Sequence, residues 1–248
     1  MKKIVSAAVS VLFWLIVWQL AAMALNEKIL LASPISVAGR LAELVPQLDF
    51  IKNIGFSMWR IIGGFFIGVT IGTLLAAVSG KVRFIRQLLA PMVSVMKSIP
   101  VASFTILAII WVGSRNLSVL VSVLIAIPIV YSNMLEGIDN LDPKLKTMAQ
   151  VFEIPAGKRF LGIYLSQLLP HFRSASKLAM GLCWKSGVAA EVIGVPNGSI
   201  GEMLYMSKVY LETEDLFACT LVIILLSFIC EKLFMLVVDI AVRRVERM

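Results

Sequence analysis

The sequence predicts an all-α, polytopic membrane protein with six transmembrane helices and a long cytoplasmic loop between spans four and five. Three observations carry this expectation. Hydrophobic residues make up 59% of the chain and charged residues only 15%, whereas soluble domains are roughly 45–50% apolar. The apolar residues gather into six runs, near 4–25, 55–79, 88–112, 117–137, 176–195 and 216–240, each close to the roughly 20 residues that a helix needs to cross a bilayer. A membrane barrel would show alternating segments of about 10 residues instead. Finally, Lys and Arg concentrate on one side of the runs. Residues 1–248 are expected to form a single transmembrane domain.

The first run opens MKKIVSAAVSVLFWLIVWQLAAMAL, with the basic start and the small residues Ala22 and Ala24 of a signal peptide. Its apolar stretch exceeds the roughly 7–15 residues of a signal core, so it is read as an uncleaved span. The second run carries Gly64, Gly68 and Gly72 at four-residue spacing. Such a stripe of small residues lets another helix approach closely, and packing is its expected role. Only GSRNL at 113–117 separates the third and fourth runs, which makes them antiparallel neighbours.

The loop over 138–175 is long for a helical membrane protein and is expected to hold structure of its own. LDPKLKTMAQVFE can form one helix, with Asp142 as cap and Pro143 at its first position. Pro155 disfavours its continuation. A second helix over about 156–169 would put Phe160, Ile163, Tyr164 and Leu168 along one face.

With both termini cytoplasmic, the inner segments hold Lys2, Lys3, Lys81, Arg83, Arg86, Lys144, Lys146, Lys158, Arg159, Arg173, Lys177, Arg243, Arg244 and Arg247, fourteen in all. The outer segments hold five: Lys28, Arg40, Lys52, Arg115 and Lys208, with Glu202, Glu212, Glu214 and Asp215 beside them. That bias follows the positive-inside rule, which also accounts for the net charge of +8 without nucleic acid. Cys183, Cys219 and Cys230 lie in apolar runs without C-x-x-C spacing, so neither a metal site nor a disulfide framework is expected.

A charge at the bilayer centre costs roughly 2.5–3.5 kcal/mol on insertion scales. Lys97, just before Ser98-Ile99-Pro100, and Lys185 and Glu191 in the fifth run therefore need a reason. Six helical residues rotate by about 240° net, so Lys185 and Glu191 do not share a face. Either Lys97, with Pro100 close by, or Lys185 lines a pathway for an anion while Glu191 orders its lining, or these charges pair between helices or snorkel to the interface. Arg60, Glu231 and Lys232 lie nearer the ends of runs, where long side chains reach the interface.

The order of elements and the spacing in the 138–175 loop resemble the membrane subunits of bacterial ATP-binding-cassette (ABC) importers. Their cytoplasmic signature has the form E-A-A-x3-G-x9-I-x-L-P. Thr147, Met148 and Ala149 stand under its first three positions, Glu153 under the Gly, Ile163 under the Ile, Leu165 under the Leu and Ser166 under the Pro. Ala149, Ile163 and Leu165 match by identity. Glu153 in place of Gly matters most, because Gly takes positive φ freely and Glu does not. The bend is expected to move to IPAG at 154–157, with Pro155 turning the chain and Gly157 supplying the freedom. KSIPVASFTILAIIWVG, LAMGLCWKSGVAAEVIG and GSIGEMLYMSKVYLETEDLFACTLVI are similar to stretches of the nitrate, sulfonate and taurine branch.

The resemblance implies a coupling-helix loop, gripped through residues such as Lys158 by separate cytoplasmic ABC ATPases. It also implies a second permease subunit, here a homodimer, an extracytoplasmic substrate-binding protein, and a place in the bacterial inner membrane among its lipids. The ATPase is not in this chain: Gly157-Lys158 lacks a Gly five residues earlier, and Arg159 stands where a P-loop needs Ser or Thr. The expected role is thus transport without catalytic residues or cofactors. The cargo would be a small anion, or a vitamin precursor of pyrimidine or riboflavin type. An ion-coupled secondary transporter is the rival on composition, although no inverted repeat is evident. Ser94-x-x-Lys97 has the spacing of a nucleophile pair, but the sole histidine, His171, falls in the loop away from it.

Overall fold

An apolar run in a bilayer has no water to satisfy its backbone, so it must bond internally as helix. The computed structural model describes residues 2–25, 27 and 29–246, with no strand among them. Of the charges counted above, the side chains of Lys2, Lys3, Lys28, Lys146, Lys158, Arg243, Arg244 and Arg247 lie outside the described residues. The helices are α1 (Lys2–Leu25), α2 (Pro34–Leu44), α3 (Leu48–Lys81), α4 (Arg83–Ser98), α5 (Val101–Asp139), α6 (Pro143–Val151), α7 (Ala156–Arg159), α8 (Ser166–Gly194), α9 (Ile200–Val209) and α10 (Thr213–Glu246). A π-helical segment, Phe160–Leu165, joins α7 to α8. Residues Leu48–Lys81, Val101–Asp139 and Thr213–Ile240 are each long and apolar enough to cross a membrane.

The chain divides into two compact units. Met1–Ser57 and Val195–Leu225 form one. Within it Ser33 caps α2, accepting from the Ser36 N–H at 3.1 Å, and Pro34 fills the first turn, where no N–H is needed. Arg40 on α2 grips Asp215 on α10 through Nε and Nη2 and reaches Glu43 at 2.8 Å. Trp18 donates to the Ala32 carbonyl at 3.0 Å and stacks near Phe217, their ring centres 5.6 Å apart.

Met58–Gly194 and Leu226–Met248 form the other unit. Its central pairing is α5 against α8, around buried Ala108, Leu117, Val121 and Ala190. The glycine stripe of α3 lies directly on α5. A Cβ at Gly64 would stand 2.6 Å from the Val119 carbonyl oxygen, and one at Gly68 would stand 2.5 Å from Ala126 Cβ. Phe65 and Phe66 meet Phe234 of α10 edge-on.

Several elements differ from the sequence expectation. The run at 88–112 is not one helix: α4 stops at Ser98, and Ile99 is extended at φ −69°, ψ 124° because Pro100 follows it. The five-residue turn GSRNL contracts to Gly113 alone, at φ 68°, ψ 167°, a region open essentially only to glycine. The second loop helix does not end near 169. It runs through the π segment into α8 without a break, since Pro170 removes only one i→i−4 bond and no stop signal follows before Val195-Pro196. α2 and α9 lie outside all six apolar runs.

Candidate functional site

The loop after α5 builds an elbow from local signals. Asp142 Oδ1 accepts from the Lys144 N–H at 2.8 Å, capping α6 with Pro143 at its first position. The Asp142 N–H donates to Gln167 Oε1 at 2.9 Å, tying the start of the elbow to α8. Thr147 Oγ1 donates back to the Pro143 carbonyl at 3.0 Å.

The end of α6 corrects the expected position of the bend. Glu153 itself takes φ 49°, and the Ile154 N–H closes on the Ala149 carbonyl at 3.0 Å. That six-to-one bond around a left-handed residue is a Schellman cap. Gly157, expected to supply the positive φ, lies instead within α7, which opens with the Arg159 N–H on the Pro155 carbonyl at 2.9 Å. The reason is geometric. The cap fixes its left-handed residue by where α6 ends, and Pro155 pushes Ile154 away from helical geometry, so the turn must be completed at Glu153.

The elbow turns apolar side chains outward. Val151 and Phe152 are each 73% exposed, and Met148 is also exposed, while Ala149 is buried. Lys144, Thr147, Met148, Val151 and Phe152 line one open groove. Ile163 and Leu165 are half-buried in the π segment, and Lys158 contributes backbone to α7. Behind the elbow, Arg86 at the start of α4 holds Asp139 at the end of α5 with two bonds of 2.8 and 2.7 Å. Gly137 gives His171 room: a Cβ there would lie 2.8 Å from the imidazole Cγ.

Of the four pathway candidates, three are exposed and one is buried. Lys97 is exposed in the last turn of α4, where a cation suits the helix dipole, and exposed Pro100 begins α5 across the break. Lys185 is exposed on α8, while Glu191 is fully buried on another face of the same helix. Arg60 of α3, within electrostatic range of Glu191 and Arg115, donates to Asn116 Oδ1 at 3.2 Å. Sequence reasoning placed Arg60 at an interface and missed this grouping. Its only signal was a cation and a carboxylate in separate apolar runs.

Long apolar helices, a glycine-packed helix pair and a capped elbow together mark a helical protein of the membrane-embedded class. The chain belongs to the family of binding-protein-dependent transport system inner membrane components, whose model matches residues 68–247. It is an ABC importer permease similar to the nitrate, sulfonate and taurine branch. A Bacillus subtilis (strain 168) permease assigned to aliphatic sulfonate transport, SsuC, is 26% identical over 88% of this chain and 78% of its own. The taurine transport system permease protein TauC of Escherichia coli (strain K12) is 24% identical over 86% of this chain and 80% of its own. In fold, the chain resembles a chain of a bacterial alginate ABC transporter crystallised with an alginate-bound periplasmic protein. The TM-score is 0.63 at 12% identity, covering 100% of this chain and 96% of that one.

Proposed function

We propose that the chain, as one permease domain with six spans and both termini cytoplasmic, is the membrane subunit of an ATP-driven importer for a small anion such as nitrate, a sulfonate or taurine. A second copy completes the pathway, a periplasmic binding protein delivers cargo, and separate ATPases bind the elbow. The observation that carries this reading is the outward apolar face of α6, Met148, Val151 and Phe152, on a helix capped at both ends. A rigid, apolar-faced helix transmits force to what it docks against; a floppy loop cannot. The names of the sulfonate, taurine and nitrate relatives support the substrate class.

In this mechanism, ATP binding draws the ATPases together, and each elbow passes the movement through the π segment into α8, and through Arg86–Asp139 into α4 and α5. Two packings of the spans that differ by a few kcal/mol then alternate. Lys97, Pro100 and Lys185 face the pathway, and Glu191, held with Arg60, orders its wall.

The test is co-purification with a co-expressed ABC ATPase from the same source. Phe152→Glu combined with Val151→Glu places two charges on the docking face without disturbing the core, and should abolish ATPase recovery and ATP-dependent uptake into proteoliposomes. Undiminished recovery would refute the elbow as the docking element. Uptake driven by an ion gradient without ATP would refute the importer itself.

A further inference from the structure

We infer that the cleft between α8 and the C-terminal half of α10 is a binding site for an anionic phospholipid, held by its headgroup phosphate. The inference rests on membrane embedding and not on the identity of the transported substrate. The cleft measures about 660 Å³ and is lined by Leu169, Arg173, Lys177, Lys232, Met235 and Val242, among others. Leu169, Arg173 and Lys177 recur every four residues, so they form one stripe of α8. Two ion pairs join that stripe to α10: Arg173 Nε to Asp239 at 2.8 Å, and Lys177 to Glu231 at 3.5 Å.

Three cations thus meet two carboxylates. Lys232 makes no ion pair among the described residues and is exposed, as are Arg173 at 53% and Lys177 at 62% of their side chains. Cations gathered at a membrane face attract an anionic headgroup by about 1 kcal/mol for each Lys or Arg near the surface. Apolar surface adjoins the cations, as a lipid requires and a free phosphate does not. Met235 and Val242 continue into the outward residues Leu233, Leu236, Val237 and Ile240 of α10, whose apolar window is only 11% buried within the chain. Acyl chains can lie on that surface while the phosphate meets Lys232, Lys177 and Arg173. A basic pocket between helices at one membrane face is the form such headgroup sites take.

Native mass spectrometry of the full-length permease in mild detergent tests this, with dioleoylphosphatidylglycerol and dioleoylphosphatidylcholine offered in parallel. Phosphatidylglycerol should bind, phosphatidylcholine should bind far more weakly, and Lys232→Gln and Lys177→Gln should each weaken phosphatidylglycerol roughly fivefold. Lys232→Arg should restore binding, and Lys52→Gln, at an exposed lysine of α3, should leave it unchanged. Lys232 lies outside the packed core, so its variant remains informative even if the Lys177 variant fails to fold. Equal binding of both lipids, or unchanged binding in Lys232→Gln, would overturn the site. Inorganic phosphate or methanesulfonate competing at the same concentration as the lipid would overturn the lipid assignment in favour of a small oxyanion.

Discussion

Glu153 sits at φ 49°, where a residue with a Cβ is strained by roughly 1–2 kcal/mol and glycine is not. The position that stands under the signature's glycine takes a φ that glycine adopts freely, although it holds glutamate here. Spacing in the sequence marks this position, whereas avoidance of strain would favour Gly157 for the bend. The Schellman bond from Ile154 to Ala149 outweighs the strain. Glu153→Gly should therefore stabilise the last turn of α6 by about 1 kcal/mol, slowing exchange of the Ile154 amide roughly fivefold. Glu153→Val should hasten that exchange, since a β-branched residue fits the left-handed region worst. Equal exchange in all three proteins would show that φ at this position carries no energy. Lys185 allows a second test at this scale. Exposed on α8, it should lower anion uptake when replaced by Met and leave the melting temperature unchanged. Normal uptake would dismiss its pathway role.

Among the elements, the sequence made long apolar helices legible because periodicity and length are summed over many residues. It hid the breaks and the short helices, which depend on one or two. Ser33-Pro34 and Ser199 with Glu202 are start signals for α2 and α9, and both serines accept the hydrogen bond that such signals predict. The length of apolar runs does not reveal these helices, because both segments are short and mixed in polarity. The glycine stripe was legible as a packing face, but its partner was not, since spacing names a face and never what lies on it. α3 offers an internal control for that contact. Gly64 touches α5, whereas an added Cβ at Gly63 meets nothing within 4 Å. Gly63→Ala should stabilise α3 by up to about 1 kcal/mol through helix propensity. Gly64→Ala should destabilise the protein by about 1–3 kcal/mol through overpacking against Val119 and Ser122. Melting temperatures in the same detergent decide the matter; a shift of the same sign in both would mean that α3 does not pack on α5 as described.

At the scale of the whole molecule, orientation rests on a sum over the chain, and no single contact determines it. In the proposed orientation fourteen cations lie inside and five outside, and the rule that reads this bias counts Lys and Arg while nearly ignoring acids. The pairing of Arg40 with Asp215 and of Arg86 with Asp139 therefore leaves the bias intact, although each pair is locally neutral. Sidedness can be tested without removing the native thiols, because Cys183, Cys219 and Cys230 are all buried. Val151 and Tyr210 are exposed, at 73% and 68%, and the charge bias assigns them to opposite faces of the membrane. In intact cells a membrane-impermeant maleimide should label Tyr210→Cys, while Val151→Cys should react only after permeabilisation. The opposite pattern would invert the orientation, place the elbow outside, and remove it from the reach of any cytoplasmic ATPase. The proposed coupling thus depends on a charge count as much as on the geometry of α6.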